Sequence, residues 1–343
     1  MKIACCTTTI HVPHALKLLR KCSDGVRFFV ACDQKTPIET NLLCGEVKNA
    51  WAIFPEMQQE WRCSESLGWN TLARRNIAFL EALKWGADII YSWDDDNLVV
   101  DTKHWQHIHE LLAHNVTPTL NLKFHGLKIA GDDNWFDPGF LLVPRTKHRG
   151  FPHDKSRMVT MDHVEDARIG VAAGLVLGDP DIDAVTRIAD SPDIQSVSIV
   201  GQAGIVVDPQ TRTVFNSQNT AVIRELIPAW FMMPGVGRYD DIYASLIVQR
   251  VARERGLHVH FGPPFTYQQR NKHNLLTDLR AEIDGMEHIV EMADLLDTTY
   301  LHGDSVIDDT RTIYRELEHR AKWIPDESIY AAFRWIEDCE GVL

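Results

Sequence analysis

Residues 87–97 read Ala-Asp-Ile-Ile-Tyr-Ser-Trp-Asp-Asp-Asp-Asn, an apolar, strand-like run that ends in three consecutive aspartates. Adjacent carboxylates repel one another, so Asp94, Asp95 and Asp96 are expected where a cation neutralises them or water solvates them. Hard cations such as Mg²⁺ are often bound by one or two carboxylates together with substrate phosphates. In an open α/β sheet, ligands bind at the carboxyl ends of strands, which is where this triad falls. A metal–phosphate site and a solvated acidic turn both remain open on this stretch alone.

The sequence before the triad alternates between strand-like and helical patterns. Strand-like runs cover residues 2–9 and 27–32, and helical spacing covers residues 14–21 and 70–84. Gly86 follows the second helix as a C-terminal cap would. Strand, helix, strand, helix and strand together predict an α/β fold with parallel strands.

The pattern changes after the triad. Residues 132–208 are rich in Gly, Pro and Asp, which favours long connections with functional loops over regular βαβ units. A short strand at His258–Phe261 is expected to end at Gly262-Pro263-Pro264. Helical spacing with alternating charge follows from Leu275 onward. We therefore expect an α/β domain over residues 1–274 and a helical extension over residues 275–343 that packs on it.

Composition narrows the classes of partner and compartment. The 343-residue chain has a formal net charge of -13, which gives it no general attraction to nucleic acid or anionic lipid. Its seven cysteines include no C-x-x-C pair, a pattern typical of free thiols in a reducing compartment. The N-terminus has the pattern of a first strand rather than a signal peptide, and the apolar run at 171–177 is far shorter than the ~20 residues of a membrane-spanning helix. We expect a cytoplasmic protein with no membrane partner and with nucleic acid disfavoured; the oligomeric state stays open.

Two adjacent arginines, Arg74 and Arg75, lie on the predicted helix before the triad. A guanidinium is the side chain best suited to a diphosphate or to an acidic cluster. Because neighbouring residues on a helix point in different directions, we expect at most one of the two to face the triad. The alternative is a solvated helix face.

Asp240 and Asp241 open a later predicted helix. Taken alone, the pair is best explained by helix capping and compensation of the helix dipole. Close to an acceptor hydroxyl, a carboxylate is also what a general base requires. The acidic turn over residues 178–184 is likewise most simply explained by capping.

Two polar runs complete the set of candidates. Residues 262–274 include Arg270 and His273, for which phosphate binding and a plain loop-to-helix junction are both open. Residues 215–220 read Phe-Asn-Ser-Gln-Asn-Thr, side chains that suit contact with a carbohydrate or a nucleobase.

Taken in order, these segments resemble the STELLO-type glycosyltransferases and, more distantly, the plant reversibly glycosylated polypeptides, which are UDP-arabinopyranose mutases. The resemblance covers roughly residues 1–275. Each motif alone is weak, and their common order carries the resemblance. The matching segments are residues 74–80, 86–87, 94–97, 174–187, 215–220, 237–243, 261–265, 269–271 and 273.

The resemblance implies a GT-A-like, Rossmann-type mixed sheet, a nucleotide-diphosphate sugar as donor, in the first place a UDP-sugar, and a bound Mn²⁺ or Mg²⁺. It implies that the catalytic site lies within residues 1–274. Asp94 and Asp96 correspond to the metal-binding D-x-D pair, and Asp240 or Asp241 corresponds to the acidic site that faces the acceptor. With the polar clusters above, the candidates are Asp94, Asp96 and His273 for the metal, Thr7, Asp33, Arg75, Asp94, Asp95, Gly174 and Arg270 for the donor, and Asp240 and Asp241 for catalysis.

In the mutase branch, an arginine in an Arg-Gly-Tyr-Pro run is reversibly glycosylated. Here Arg149-Gly150-Phe151-Pro152 resembles that run, with Phe in place of Tyr, and Arg157 lies further along. Whether either arginine carries a sugar stays open.

The leading hypothesis is a metal-dependent glycosyltransferase whose acceptor is a glycan, a small molecule, a protein or a hydroxylated nucleobase. A nucleotide-sugar mutase is the first alternative, and a non-catalytic nucleotide-sugar-binding protein is the second. A phosphatase of the haloacid-dehalogenase type ranks last. Its Asp-x-Asp follows the first strand and is usually followed by Thr or Val, whereas this triad follows the third predicted strand and Leu98 stands at that position.

Overall fold

The computed structural model describes residues 1–21, 25–101, 103–113, 124–269 and 274–343. Its strands are β1 (Ile3–Thr9), β2 (Val26–Cys32), β3 (Ala50–Ile53), β4 (Ile89–Trp93), β5 (Asn97–Val99), β6 (Phe124–Gly131), β7 (Trp135–Phe136), β8 (Leu142–Val143), β9 (Val159–Gly178), β10 (Ser196–Val197), β11 (Ile205–Val207), β12 (Arg212–Thr213), β13 (Asn219–Ile223) and β14 (Leu257–Gln268). Its helices are α1 (Leu16–Lys21), α2 (Glu39–Glu46), α3 (Arg75–Trp85), α4 (His104–Leu112), α5 (Ala184–Ala189), α6 (Ile199–Ala203), α7 (Asp240–Glu254), α8 (Leu275–Thr298), α9 (Val306–Arg320) and α10 (Asp326–Glu340).

Strand β1 lies inside the parallel part of the sheet. It pairs in parallel with β2 on one side and with β4 on the other, so that Cys5 is opposite both Phe28 and Tyr91. Strand β3, which the sequence analysis missed, pairs in parallel with β2. The chain thus moves outward from β1 through β2 to β3 and then returns to the other side of β1 with β4. Such a reversal of strand order creates the crevice in which open α/β sheets bind ligands.

Strand β4 carries the aspartate triad out of the core. All five of its residues are buried, as expected for a strand whose neighbours cover both faces. Helix α3 ends just before it at Gly86, whose φ of 80° is the left-handed conformation that glycine adopts without a steric cost. The predicted cap is therefore confirmed, and it fixes where β4 begins.

The prediction of long loops over residues 132–208 is wrong for its central part. Strand β9 has 20 residues and pairs with β6, β13 and β14. Residues 160–166 of β9 are mostly polar and solvent-exposed, whereas residues 169–173 are almost all buried. The exposed half lacks a continuous apolar pattern, so sequence periodicity gave no sign of a strand there.

Strand β14 also differs from expectation, because it does not end at Gly262-Pro263-Pro264. It crosses this segment with a register shift against β9 between Gly262 and Thr266. Proline cannot donate to the hydrogen-bond ladder but is tolerated at such irregularities. The continuation brings Gln268 to the triad.

The helical region begins at Leu275, where the Asn274 side chain accepts hydrogen bonds from the first turn of α8. Helices α9 and α10 follow, and Asp338 of α10 accepts hydrogen bonds from the backbone N–H groups of Arg62 and Cys63, at 3.1 and 2.9 Å. Ten strands in the described residues form one mixed sheet flanked by helices, which confirms the predicted α/β, Rossmann-type fold with a helical C-terminal region. No helix within the described ranges is long and apolar enough to span a membrane.

Candidate functional site

A cavity of about 370 Å³ opens at the carboxyl ends of β1, β2 and β4, where the strand order reverses. It has two ends, named here by their acidic residues. The triad end comprises Asp33, Arg75, Asp94, Asp95 and Asp96, and the pair end comprises Arg149, Asp181, Arg238, Asp240 and Asp241. The cavity thus collects seven aspartates and three arginines from segments far apart in the sequence.

Arg75 contacts the triad end from the interior of the protein. Its Nη2 donates to Asp94 Oδ1 at 2.6 Å, and its Nη1 donates to the Ser92 hydroxyl and to the Ser217 hydroxyl and carbonyl. The Arg75 side chain is buried, whereas about a third of the Asp94 side chain is exposed. One buried guanidinium therefore fixes one face of Asp94, and no donor among the described residues contacts its Oδ2.

Arg74 does not face the triad, which confirms the prediction that at most one of the two adjacent arginines does. Its guanidinium donates to the Ser64 hydroxyl and carbonyl and to Gln58 Oε1, at 2.8, 2.8 and 3.1 Å, and does not line the cavity. Asn76 bonds both backbone groups of Met232. Three consecutive residues thus hold three different segments, and only Arg75 faces the triad.

The other two aspartates of the triad have neutral partners. The Thr9 hydroxyl donates to Asp95 Oδ2, and Gln268 Nε2 donates to both Asp96 oxygens at 3.2 and 3.3 Å. Burial, reinforced by the charge of Asp94, raises the pKa of the Asp95 carboxyl. Hydrogen bonds from neutral side chains therefore orient both of these carboxylates.

Asp33 ends β2 on the opposite side of β1. Its Oδ1 accepts the backbone N–H of Gln34 at 2.7 Å, and its Oδ2 accepts that of Thr71 at 3.2 Å. Asp33 is buried and lines the cavity, as do Asn70 and Thr71 of the segment it holds. It therefore contributes a further fixed carboxylate to the triad end.

At the pair end, Asp241 is fully engaged. Its Oδ1 accepts Arg149 Nη2 at 2.9 Å, and its Oδ2 accepts the Ser217 backbone N–H and hydroxyl at 2.9 and 3.0 Å. Asp240 accepts one hydrogen bond, at 2.9 Å, from the backbone N–H of Asp241. Neither residue is the N-cap of α7, but both lie in its first turn, where compensation of the helix dipole still applies to the pair. Burial and the neighbouring charge of Asp241 raise the pKa of Asp240 to about 7.

Arg149 connects this pair to Asp181. Its Nε lies 2.9 Å from both Asp181 oxygens and its Nη2 lies 2.6 Å from Oδ2, while Nη1 donates to the Arg238 carbonyl. Although burial opposes it, the Arg149 guanidinium holds the pKa of Asp181 well below its usual range. The capping explanation applies to Asp183, which accepts the Thr186 N–H, but not to Asp181.

Helix α8 reaches the site through Arg238. Arg238 Nε donates to Glu282 Oε1 at 2.9 Å, and Glu282 Oε2 accepts the Ala184 N–H at 2.8 Å. A Cβ atom at Gly285 would lie 2.1 Å from the Tyr239 ring, so only glycine permits this approach of α8 to the segment before Asp240. The helical region is thus part of the support of the cavity.

The structure brings most of the sequence-predicted residues together. Asp33, Arg75, the triad, Arg149, Asp240 and Asp241 all line the main cavity. Thr7 is buried and does not line it, although its neighbours Thr8 and Thr9 do. Gly174 instead lines two cavities of about 30 and 20 Å³, packed against Asn219.

Of the remaining candidates, Arg157 lies elsewhere in the structure. Arg157 pairs with the buried Asp137 at 2.8 Å and does not line the main cavity. Arg270 and His273 lie outside the described residues, so their predicted roles in donor and metal binding stay predictions.

No group of three or more His, Cys, Asp or Glu side chains in the described parts of the chain is arranged to hold a metal ion. The donor chemistry at Asp94 and Asp96 still fits a hard cation, because it consists of carboxylate oxygens next to an open cavity. At a Mg²⁺ or Mn²⁺ site with two protein ligands, water molecules or phosphate oxygens of a ligand would complete the coordination.

Sequence reasoning missed three residues that shape the site. Asp181 was assigned to capping, Gln268 was placed beyond a strand that continues to it, and Glu282 lies in the predicted extension. The only sequence signal for Asp181 was that its turn holds more acidic residues than the single N-cap of the following helix requires. No local signal marks Gln268 or Glu282.

No model of a known protein family matches the chain, and the search of curated proteins returned no match. The resemblance therefore rests on the order of its motifs.

Proposed function

We propose that this protein is a metal-dependent glycosyltransferase that moves a sugar from a nucleotide-diphosphate sugar, in the first place a UDP-sugar, to an acceptor hydroxyl. The observation that carries the proposal is that the triad and the acidic pair line one cavity at the strand-order reversal. The GT-A-like motif order supports the same assignment. The acceptor class stays open among glycans, small molecules, proteins and hydroxylated nucleobases.

The charges at the triad end support a metal. Among the described residues, the triad end brings four aspartates together with one arginine, and at an effective dielectric constant near 20 each carboxylate about 5 Å from a phosphate costs roughly 3 kcal/mol. A divalent cation between the carboxylates and a diphosphate would remove this repulsion. Asp94 and Asp96 would hold Mn²⁺ or Mg²⁺, with phosphate oxygens completing the coordination. When bound, the metal would act as a Lewis acid that neutralises the departing diphosphate.

The protein's own contribution at this end is orientation. Arg75 fixes Asp94, Gln268 fixes Asp96, and Thr9 fixes Asp95. Carboxylates held by buried partners lose little entropy when a ligand binds, which favours a defined geometry. Asp33 would accept a hydrogen bond from the nucleoside, across the crevice from the triad.

The pair end would receive the acceptor. A general base must have a lone pair that faces the substrate and a pKa near the working pH. The pair supplies buried carboxylates within the same cavity as the triad. We propose that one of them takes the proton of the acceptor hydroxyl.

The mutase alternative rests on Arg149, which lies in the cavity. Its nitrogens are all bonded to Asp181, Asp241 or the Arg238 carbonyl, and these carboxylates raise the pKa of Arg149 against the effect of burial. A firmly protonated guanidinium is a poor nucleophile, so these contacts favour the transferase. We further propose a reducing, cytoplasmic setting, which the free, buried state of the six described cysteines supports.

A thermal-shift panel of UDP and UDP-sugars, each with and without Mn²⁺, tests the proposal. We expect stabilisation only when nucleotide and metal are both present, since a ligand at 100 times its Kd adds about 2.7 kcal/mol to the folded state. Equal shifts without metal, or none with any nucleotide, would contradict it. Binding without hydrolysis or transfer would favour the non-catalytic alternative, and interconversion of sugar ring forms would favour the mutase.

A further inference from the structure

The two carboxylates of the acidic pair have different surroundings. Asp241 receives three hydrogen bonds, from Arg149 and from the backbone and hydroxyl of Ser217, and is 3% exposed. Both of its oxygens are committed to protein donors. An oxygen held in this way cannot turn toward a substrate hydroxyl without breaking a charge-assisted hydrogen bond in a buried site.

Asp240 lacks such donors in the described part of the chain. Its one hydrogen bond comes from the neighbouring backbone N–H, and its carboxylate lines the cavity. The charged groups around it are Asp241 on its own helix, Arg149, Asp181, Arg238 and, from α8, Glu282. Among the described carboxylates, Arg149 lies closest to those of Asp181 and Asp241. Its positive charge therefore mainly compensates these two.

We propose that Arg149 is a positioning residue that locks Asp241 and thereby leaves Asp240 as the catalytic base. This inference rests on the proposed function and assigns the base, which the sequence left between two residues. It also gives Arg149 a role other than that of a sugar acceptor.

Two bonds break and two bonds form in the proposed transfer. The acceptor O–H bond breaks, and its proton forms a bond to an Asp240 carboxylate oxygen. The acceptor oxygen forms a bond to the anomeric carbon of the donor sugar. The bond from that carbon to the diphosphate oxygen breaks, and its electron pair leaves with the nucleoside diphosphate.

The first test is a titration of the aspartate carboxyls by carbon-13 NMR, on protein without donor or acceptor. We expect one carboxyl to titrate near neutral pH and to lose this titration in Asp240→Asn. In Asp241→Asn the titration should remain but move to lower pH, because the neighbouring negative charge is removed. In Arg149→Met, the lost positive charge is expected to move this titration upward by about one pH unit or more. A neutral titration that persists in Asp240→Asn overturns the inference. Because no donor is present, this result stands even if the proposed transfer reaction is not found.

The second test is kinetic. Asp240→Asn is expected to lower kcat by about 10²- to 10⁴-fold while the Kd for UDP with Mn²⁺ stays within about twofold. Arg149→Lys keeps the charge but cannot bridge three acceptors at once, so a loss of roughly tenfold in kcat with unchanged donor KM is expected. If Arg149→Met does not fold, the Arg149→Lys variant still tests the role of Arg149.

The matched control is Arg255→Lys, which weakens an Arg–Asp pair with the buried Asp309 outside the cavity. It is expected to lower stability without changing kcat or the pH profile. Equal kinetic losses in Arg255→Lys and Arg149→Lys, or full activity in Asp240→Asn, would refute the assignment.

Discussion

The two ends of the cavity use carboxylates in opposite ways. Among the described residues, the triad end holds four aspartates and one arginine, and Asp94 is about a third exposed. The pair end holds three aspartates and two arginines there, and its Asp181 and Asp241 side chains are 6% and 3% exposed. At the pair end Arg149 bonds two buried carboxylates, whereas at the triad end Arg75 bonds one partly exposed carboxylate, that of Asp94. The two ends therefore differ in how far the protein itself compensates their carboxylates.

The largest expected effect comes from removing two carboxylates of the triad. Asp94→Ala with Asp96→Ala should abolish donor turnover and weaken metal-dependent UDP binding by several kcal/mol, about 10³-fold, because the diphosphate loses its cation. Isothermal titration with Mn²⁺ measures this. Asp88→Ala, at the other end of β4 and bonded to the Lys2 backbone, is the matched control. Metal-dependent binding that survives in the double variant would remove the distinction between the ends.

The next effect concerns stability. Arg149→Met leaves Asp181 and Asp241 buried without a counter-charge, which should lower the free energy of unfolding by about 3–5 kcal/mol. Arg75→Met should cost less, because Asp94 can still be solvated. Urea unfolding of both variants compares the ends directly. An equal or larger loss for Arg75→Met would show that the pair end is not the internally compensated one.

The pH dependence of stability sharpens the comparison. The folded pKa of Asp240, about 7, lies above its unfolded value near 3.8. The folded state therefore holds the proton more tightly, and this contribution, about 1.4 kcal/mol per pKa unit, is complete below pH 3.8 and is lost as the pH rises through 7. Asp240→Asn should thus stabilise the protein at pH 8 relative to wild type, and much less at pH 5. Thermal melts at both pH values check this, and a stability difference that is the same at both would contradict it.

The smallest effect is expected from the support of Arg238. Glu282→Gln should lower the free energy of unfolding by about 1 kcal/mol, since one charge-assisted hydrogen bond weakens while the contact to the Ala184 N–H can persist. Donor affinity should not change, because Glu282 lies behind the pair end. Urea unfolding and UDP titration measure both, and a loss of donor affinity would show that the two ends are coupled.

Local patterns were enough to predict the parallel strands, the Gly86 cap and the triad at the end of β4. Each of these features depends on residues that are close in the sequence. The prediction that only one of Arg74 and Arg75 faces the triad also depends on local helix geometry. The length of β9 and the passage of β14 through two prolines could not be predicted, because β9 is extended by pairing with β6 and β14 by pairing with β9, neither of which is its neighbour in the sequence. Asp181 and Glu282 belong to the site only through contacts across the fold, which no spacing reveals.

The docking of α8 has a consequence for synthesis. Chains fold as they leave the ribosome, beginning with the N-terminal part. Gln268, which bonds Asp96, precedes α8 in the chain, whereas the carboxylate nearest to Arg238, on Glu282, emerges later. Asp338, which accepts the backbone N–H groups of Arg62 and Cys63, emerges later still. In the nascent chain, the strands around the cavity are therefore translated before the helices whose side chains support the pair end. Helices α8 and α10, which follow the sheet in the chain, supply these later contacts.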